Sequence, residues 1–242
     1  MADMDNVIKC MAKQLRDGDV VYTGLASVPP AVLAVALARY WGLNIWFINV
    51  AEVYEPPRNI VITPSSGDPY SFIDGEGFVT SLDAFDLARR GQLDVMFFSA
   101  AQVDRRGNMN LSVIGNYERP RVRLPGGAAA AYLYRRARRV VMWLKEHSRR
   151  TLVERVDFIT APGPTKQGPH LTICTPKAMF EFDNELGELV LTGLFPGVGV
   201  DDVINNMAFK PRVRESLRIL EPVTQDELQF LNKLDPSGVR YS

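Results

Sequence analysis

The chain has 242 residues, of which 46% are apolar, and its 28 basic residues are balanced by 28 acidic ones. This length and apolar content are sufficient for a large α/β core, and we expect a single domain over residues 1–242. Zero formal net charge argues against partners such as nucleic acid or an anionic membrane surface, and no apolar run reaches the roughly 20 residues that a membrane helix requires. These properties favour a cytoplasmic enzyme or enzyme subunit.

The first part of the chain alternates predicted helices with predicted buried strands. Apolar spacing and Gly or Pro boundaries give, in order, a helix in MDNVIKCMAKQLRDGD, a strand in VVYTGLA, a helix in PPAVLAVALARYWG and a strand in NIWFINV. Strands that alternate with helices are typical of parallel pairing. We therefore predict an α/β fold with a mostly parallel open sheet that is covered by helices on both faces.

Two glutamates, Glu52 and Glu55, follow the second predicted strand at the start of a long loop over residues 51–80. Loops of this length in a compact domain are usually functional. A carboxylate just beyond the end of a buried strand is placed to reach a ligand cleft, where it can act as a nucleophile or a base. It can equally be a solvent-exposed loop carboxylate, and the residue pattern leaves both interpretations open.

A polar segment follows the third predicted strand. The sequence SLDAFDLARRGQ predicts a helix capped by Ser81, and LDVMFFSA predicts the strand, after which AQVDRRGNMN occupies residues 101–110. Asn, Asp and Gly are turn formers, so a surface turn explains the segment. A ligand site at the end of a strand explains it as well.

A glycine pair, Gly126 and Gly127, precedes a predicted helix over residues 128–136 in RLPGGAAAAYLYRR. Unobstructed backbone N–H groups at the start of a helix can hold a phosphate or a developing oxyanion. A tight turn packed against a strand is the alternative. The segment is neither a P-loop nor a dinucleotide-binding fingerprint, because it lacks the lysine of the first and the spacing of the second.

The second half of the chain is richer in predicted strands. These lie in ARRVVMWL, VDFITA, HLTICTP, AMFEFD and ELVLTGLFP, and helices are predicted at about 200–209 and 225–234. His147 and His170 have no Cys, Asp or Glu at ligand spacing, so we expect surface or packing histidines and no metal site. The absence of a G-x-S-x-G motif disfavours serine hydrolase chemistry.

Four segments together resemble the β subunit of family I coenzyme A transferases, especially the glutaconate type. They are AQVDRRGNMN, RPRVRLPGGAAA, EHSRRTLVERVDFITAPG and LFPGVGVDDVINNMAF, and their order and spacing match over most of the chain. The resemblance implies the fold shared by NagB, RpiA and the CoA transferases. It also implies a homologous α subunit, an active site between the two subunits, a heterotetramer, and coenzyme A as a substrate with no tightly bound cofactor.

The resemblance also implies which residues contact the acyl-CoA. A glycine loop in the family approaches the thioester, and a polar segment helps to shape the same cleft. The matching residues of this chain are Gln102, Asp104, Gly107, Asn108, Gly126, Gly127 and Ala128. On this basis the polar segment at 101–110 borders a binding site for acyl-CoA.

One position departs from the family pattern. Family transferases carry a glutamate directly at the end of the second strand, where this chain has Ile48 and Asn49. Glu52 comes three residues later, and we assign it as the catalytic nucleophile. Its placement is similar to that in two-subunit hydrolases that open a ring of a CoA thioester without a covalent glutamyl intermediate. The alternatives are therefore a hydrolase in which Glu52 is a general base, and a non-catalytic subunit that binds acyl-CoA.

Overall fold

The computed structural model describes residues 2–24, 28–49, 53–54, 62, 65, 68 and 75–241. The chain divides into two compact units, one made of Met1–Phe98 with Glu221–Ser242 and the other of Ser99–Leu220. A single domain over residues 1–242 stays a prediction. No helix within the described ranges is long and apolar enough to cross a bilayer.

The first unit contains the helices and strands predicted for the N-terminal part of the chain. Its elements are α1 (Ala2–Ala12), β1 (Val20–Thr23), α2 (Val28–Tyr40), β2 (Trp46–Asn49), β3 (Val53–Tyr54), β4 (Gly77–Phe78), α3 (Ser81–Arg89), β5 (Val95–Ser99), α6 (Gln225–Leu234) and a 3-10 helix (Val239–Tyr241). The strand order is β5-β1-β2-β3-β4. The pairs β5–β1 and β1–β2 are parallel, whereas β2–β3 and β3–β4 are antiparallel.

The residues after 221 belong to the first unit because they neutralise buried charges on α1. Arg240 is 2% exposed, and its Nε donates to Asp5 Oδ1 at 2.7 Å while its Nη1 donates to Asp235 Oδ2 at 3.0 Å. Lys9 is also buried and donates to Glu227 Oε2 at 2.9 Å. A buried charge is tolerated only when it is paired and hydrogen-bonded, so these contacts are required for α1 to pack.

The second unit contains the remaining strands and two short helices. Its elements are β6 (Gln102–Asp104), β7 (Met109–Asn110), β8 (Val113–Gly115), β9 (Pro120–Arg123), α4 (Ala130–Leu133), β10 (Arg139–Trp143), β11 (Leu152–Val153), β12 (His170–Cys174), β13 (Ala178–Asp183), β14 (Glu188–Leu194), α5 (Val200–Asn205) and β15 (Arg212–Ile219). Five of its strands follow the order β15-β14-β13-β12-β10. The pairs β10–β12 and β14–β15 are parallel, and β13 is antiparallel to both of its neighbours.

Three sequence-based expectations in the second unit differ from the structure. The helix predicted at 128–136 covers only Ala130–Leu133, and it cannot begin at Ala128 because the positive φ of 38° there is incompatible with an α-helix. The predicted strand VDFITA is irregular, since the Asp157 N–H donates to the Gln102 side chain and not to a neighbouring strand. The strand β15 was not predicted, because its residues are nearly all exposed and three are arginines.

His147 is a packing residue, as expected from its lack of ligand partners in sequence. It is 7% exposed, and its Nε2 lies 3.1 Å from the carbonyl oxygen of Val203. A carbonyl only accepts, so Nε2 carries the proton. Nδ1 lies 2.9 Å from the Thr175 hydroxyl oxygen, and this hydroxyl donates its own proton to the Ala178 carbonyl. Burial lowers the pKa of His147 below its usual 6.5, with nearby Lys177 acting in the same direction and the Val203 carbonyl and Asp202 opposing them.

This burial predicts a pH-dependent stability. The folded pKa of His147 lies below the unfolded value. Its contribution to the free energy of unfolding is therefore fully present above about pH 6.5, and it declines at lower pH by at most about 1.4 kcal/mol per pH unit. Urea unfolding followed by circular dichroism between pH 5 and 8 measures the slope. His147→Gln should remove this component. The same substitution at exposed His170 is the matched control, and an equal change in both variants would contradict the assignment.

Candidate active site

Asp104 closes the turn between β6 and β7. Its carboxylate is buried and accepts three hydrogen bonds, from the Arg106 N–H at 3.0 Å, the Asn108 N–H at 3.1 Å and the Asn108 side-chain amide at 3.0 Å. The Tyr134 hydroxyl donates to the Gly107 carbonyl at 2.7 Å, and burial, with the Asp104 charge, raises the pKa of Tyr134. Asp104 therefore shapes the backbone of this turn from within.

Asn108 connects the same turn to the segment before β12. Its side-chain oxygen accepts from the Gly163 N–H at 2.9 Å. A Cβ atom on Gly163 would lie 1.9 Å from the Arg106 carbonyl oxygen, so only glycine permits this close approach. The turn at 104–108 is thus held by Asp104 from within and by contact with Gly163 from outside.

Gln102 is the centre of a second network. It is 6% exposed, and its Oε1 accepts from the Asn110 side chain at 2.7 Å and from the Asp157 N–H at 3.0 Å, while its Nε2 donates to Asp157 Oδ2 at 3.2 Å. Asn110 is fully buried. Its side-chain amide donates to the Val113 carbonyl oxygen, and its side-chain oxygen accepts from the Val113 N–H. The amide of Gln102 therefore links β6, β7 and the segment at 157.

These contacts give the polar segment 101–110 a structural role. The side-chain oxygens of Gln102, Asp104 and Asn108 are engaged within the second unit, where they hold backbone in place. The segment is polar because it satisfies buried N–H groups, as buried polar groups must be. Direct contact of these three residues with acyl-CoA stays a prediction.

The glycine loop begins with Gly126, whose conformation requires glycine. Its φ is +95°, and no atom lies within 4 Å of a Cβ added there. The Gly126 N–H donates to the Leu111 carbonyl at 2.8 Å, so this donor is already used and does not face a ligand. The loop is thereby attached to the residues that follow β7.

Gly127 requires glycine for a different reason, which is lack of space. Its φ is not in the left-handed range, but a Cβ atom there would lie 2.7 Å from Cγ2 of Thr160. Thr160 is itself held in place: its hydroxyl accepts from the Leu111 N–H at 2.8 Å and lies 2.7 Å from the Ser112 hydroxyl. Thr160 therefore sets how closely the loop packs on the segment at 160.

Two backbone donors of this loop are available to a ligand. Within the described part of the chain, the N–H groups of Gly127 and Ala128 have no acceptor, and Gly127 is half-buried while Ala128 is exposed. Ala128 holds the positive φ of 38°, a conformation that non-glycine residues adopt rarely and that clusters at functional sites. Adjacent free N–H groups can stabilise an oxyanion. The following helix has only four residues, so its dipole adds little.

The end of β2 carries no carboxylate. Asn49 is the last residue of this strand, is 4% exposed, and accepts a hydrogen bond from the Thr23 hydroxyl at 3.4 Å. Glu52 lies outside the described residues. The next described residue, Val53, pairs with Asn49 across the antiparallel β2–β3 ladder, so the chain has returned to the end of β2 by that point.

Sequence reasoning did not identify Asn110, Asp157 or Thr160 as site residues. The segment VDFITAPG contributed to the family resemblance, but only its contacts with Gln102 and Gly127 reveal its role. Among the described residues, no group of three or more His, Cys, Asp or Glu side chains could hold a metal ion.

The chain is similar to known proteins over nearly its whole length. The coenzyme A transferase family matches residues 4–206. The chain therefore belongs to the coenzyme A transferase family, and the resemblance predicted from its motifs is confirmed. It is 36% identical over 240 residues to the B subunit of 3-oxoadipate CoA-transferase from Pseudomonas knackmussii, a match that covers 93% of this chain and 89% of the relative. It is 26% identical over 243 residues to the B subunit of glutaconate CoA-transferase from Acidaminococcus fermentans, covering 88% and 84%.

Solved structures confirm the mostly parallel α/β fold. The glutaconate CoA-transferase of Acidaminococcus fermentans superposes with a TM-score of 0.83 at 18% identity, covering 99% of this chain and 97% of the other. The decarboxylase AibA/AibB superposes with a TM-score of 0.88 at 30% identity, covering 98% and 96%. A decarboxylase thus shares this architecture.

The contact between Gly127 and Thr160 predicts a rescue between two substitutions. Gly127→Ala should cost about 1–3 kcal/mol of stability or displace the loop, and should lower kcat about 100-fold. Thr160→Ser removes Cγ2 and retains the hydroxyl, so the double variant should recover most of the lost activity. Steady-state kinetics of the four proteins, purified with their partner subunit, measure the coupling.

Gly126→Ala is the matched control for this rescue. Its defect should come from the left-handed backbone, which costs about 1–2 kcal/mol for alanine, and Thr160→Ser should not relieve it. If Thr160→Ser restored the activity of Gly126→Ala as much as that of Gly127→Ala, the steric contact with Thr160 would not be the cause of the Gly127→Ala defect.

Proposed function

We propose that this chain is the β subunit of a heteromeric CoA transferase that moves coenzyme A between an acyl-CoA and a carboxylic acid. The observation that carries the proposal is the 36% identity to the B subunit of 3-oxoadipate CoA-transferase across 93% of the chain. The free N–H groups of Gly127 and Ala128 support it, because acyl transfer requires donors for a developing oxyanion. Coenzyme A is a substrate here, and no tightly bound cofactor takes part. We place the enzyme in the cytoplasm.

Glu52 acts as the nucleophile in this proposal. Its carboxylate attacks the acyl-CoA carbonyl, which forms a mixed anhydride and releases the CoA thiolate. The thiolate then attacks the glutamyl carbonyl, which releases the first carboxylic acid and leaves a glutamyl-CoA thioester. The acceptor carboxylate then attacks the glutamyl-CoA thioester, which forms a second mixed anhydride and releases the CoA thiolate. The thiolate attacks the acyl carbonyl of this anhydride, which releases the new acyl-CoA and restores the glutamate. The N–H groups of Gly127 and Ala128 donate to the carbonyl oxygen at each tetrahedral stage.

The antiparallel pairing of β2 and β3 supports this role for Glu52. In an extended chain, three residues beyond the usual family position would move a side chain by up to about 10 Å. Val53 instead lies opposite Asn49, and paired Cα atoms in such a ladder are about 4.5–5.5 Å apart. The residue after Glu52 is thus close to the end of β2, where the family places its glutamate.

Decarboxylation is the second candidate function. It is favoured by the 30% identity to the decarboxylase AibA/AibB and by Asn49, a neutral residue, at the end of β2.

The ring-opening hydrolase alternative has the support of 26% identity over 177 residues to the cholesterol ring-cleaving hydrolase IpdB subunit of Rhodococcus jostii. Release of CO₂, release of free CoA, or transfer of CoA to an added acid distinguishes the three reactions. In the remaining alternative, the chain binds acyl-CoA and the partner supplies all reactive groups.

The Glu52 assignment is tested with succinyl-CoA and 3-oxoadipate, with the partner subunit present. Glu52→Gln and Glu52→Asp should each lower kcat by about 1,000-fold or more, because the first removes the nucleophile and the second retracts it. Incubation of the wild type with acyl-CoA and borohydride should reduce a thioester at position 52, which peptide mass spectrometry detects. Glu55→Gln is the matched control and should remain active. Wild-type rates in Glu52→Ala would eliminate the role.

We also propose that the chain assembles with a homologous α subunit as a heterotetramer. Its relatives are subunits of two-subunit enzymes. Several large apolar side chains are exposed on the isolated chain, which is typical of a surface that a partner covers. They include Trp46, Phe78, Leu82 and Ile219.

Co-expression tests this assembly. The chain alone should self-associate and be inactive, whereas co-expression with an α subunit should give one species with two copies of each chain by light scattering. A stable and fully active monomer at micromolar concentration would overturn the proposed assembly.

A further inference from the structure

We propose that the hairpin made by β8 and β9, residues 113–123, binds the phosphate groups of the coenzyme A nucleotide; this inference rests on the proposed function. Three arginines, Arg119, Arg121 and Arg123, occupy alternate positions at its end, and all three are exposed. None of them forms an ion pair with a carboxylate in the part of the chain that is described. The one acidic residue of the hairpin is Glu118, so its formal charge is +2.

The absence of ion pairs distinguishes these arginines from three others that are exposed in the second unit. Arg150 pairs with Glu146, Arg212 pairs with Glu188, and Arg214 pairs with Glu181. Arginine presents a planar, permanently charged set of donors that matches the geometry of phosphate oxygens. Three such groups without a carboxylate partner among the described residues form a surface that favours a ligand with several phosphates, although Arg123 Nη2 also donates to the Tyr117 carbonyl at 3.3 Å.

The hairpin is held in a defined position. The Asp157 carboxylate accepts from the Gly115 N–H at 2.8 Å, and this same carboxylate binds Gln102. At the tip, the Asn116 side chain accepts from the N–H groups of residues 118 and 119 at 2.8 and 3.2 Å. The arginines are therefore carried on an ordered turn, which reduces the entropy lost when a ligand binds.

Aromatic packing adds to this order. The Tyr117 ring stacks on Phe158 with centroids 4.9 Å apart, and the Arg123 guanidinium lies 5.1 Å from the Tyr117 ring centre. A guanidinium over an aromatic ring keeps its N–H edges free for other acceptors. Arg123 is thus positioned without its donors being fully used.

The hairpin and the glycine loop belong to one continuous ribbon. After Arg123, the Leu124 N–H donates to the Ser112 carbonyl at 2.9 Å and the Gly126 N–H donates to the Leu111 carbonyl at 2.8 Å. Gly127 is four positions after Arg123, a span of about 14 Å or less in an extended strand. The extended pantetheine arm of coenzyme A separates its sulfur from its phosphates by a comparable distance. A thioester at the glycine loop therefore places phosphates within reach of these arginines.

Isothermal titration of the complex with its α subunit tests the inference directly, with coenzyme A and pantetheine as probes. Arg121→Gln/Arg123→Gln should raise the Kd for coenzyme A about tenfold and leave that for pantetheine, which carries no phosphate, unchanged. Wild-type affinity for coenzyme A should fall as NaCl is raised from about 50 to about 500 mM, and this dependence should be smaller in the variant. Arg119→Gln/Arg121→Gln repeats the test with the Arg123–Tyr117 contact intact.

The matched control is Arg135→Gln/Arg136→Gln. This pair removes the same charge from the same unit, and Arg136 likewise lies over an aromatic ring, that of Tyr132. Its Kd for coenzyme A should equal that of the wild type. Unchanged Kd in both hairpin variants would overturn the inference while leaving the proposed function in place. Absence of coenzyme A binding to the wild-type complex would instead overturn the proposed function.

Loss of α-subunit co-purification in the hairpin variants, but not in the control, would also overturn the inference. The hairpin would then be a subunit interface.

Discussion

The buried side-chain amide of Gln102 is the interaction on which the rest of the candidate site depends. It accepts from Asn110 and from the Asp157 backbone and donates to the Asp157 carboxylate, which in turn holds the base of the arginine hairpin. Hydrogen bonds of this kind are strong in a low-dielectric interior, and leaving one buried partner unpaired costs more than the bond itself contributes. Loss of one member therefore leaves buried polar groups of the others unsatisfied.

The glycine loop shows how two neighbouring glycines can serve different physical needs. Gly126 supplies a left-handed backbone and gives up its N–H to Leu111, whereas Gly127 supplies empty space above Thr160. The consequence is that the available donors are shifted by one residue, to Gly127 and Ala128. Ala128 itself holds a positive φ of 38°, which is rare for a residue other than glycine.

Much of the fold could be predicted from the sequence because its elements carry strong local signals. The apolar run in LDVMFFSA corresponds to β5, and AMFEFD corresponds to β13 without any shift of boundary. The failures arose where tertiary contacts decide. β15 is exposed along nearly its whole length. In VDFITA the Asp157 N–H donates to the Gln102 side chain, and residues 160 and 161 at its end pair with Met109 of β7.

The site was predictable in part, for a related reason. The glycine pair and the polar segment were identifiable because their composition is unusual. The role of Thr160 could not be inferred, since a threonine in VDFITAPG has no signal until Gly127 is placed against its methyl group. The burial of the Gln102 and Asp104 side chains likewise could not be predicted, because it depends on hydrogen-bond partners that are distant in sequence.

The charge pairing around α1 constrains how the protein is made. Asp5 emerges from the ribosome early, but its partner Arg240 is 235 residues later in the chain. At typical rates of synthesis this separation corresponds to roughly 10–50 seconds. Throughout that interval the acidic side chain of α1 cannot be buried at low cost, and the first unit stays incomplete while the whole second unit is translated. The order of synthesis therefore favours folding of residues 99–220 as an insert before the surrounding unit closes.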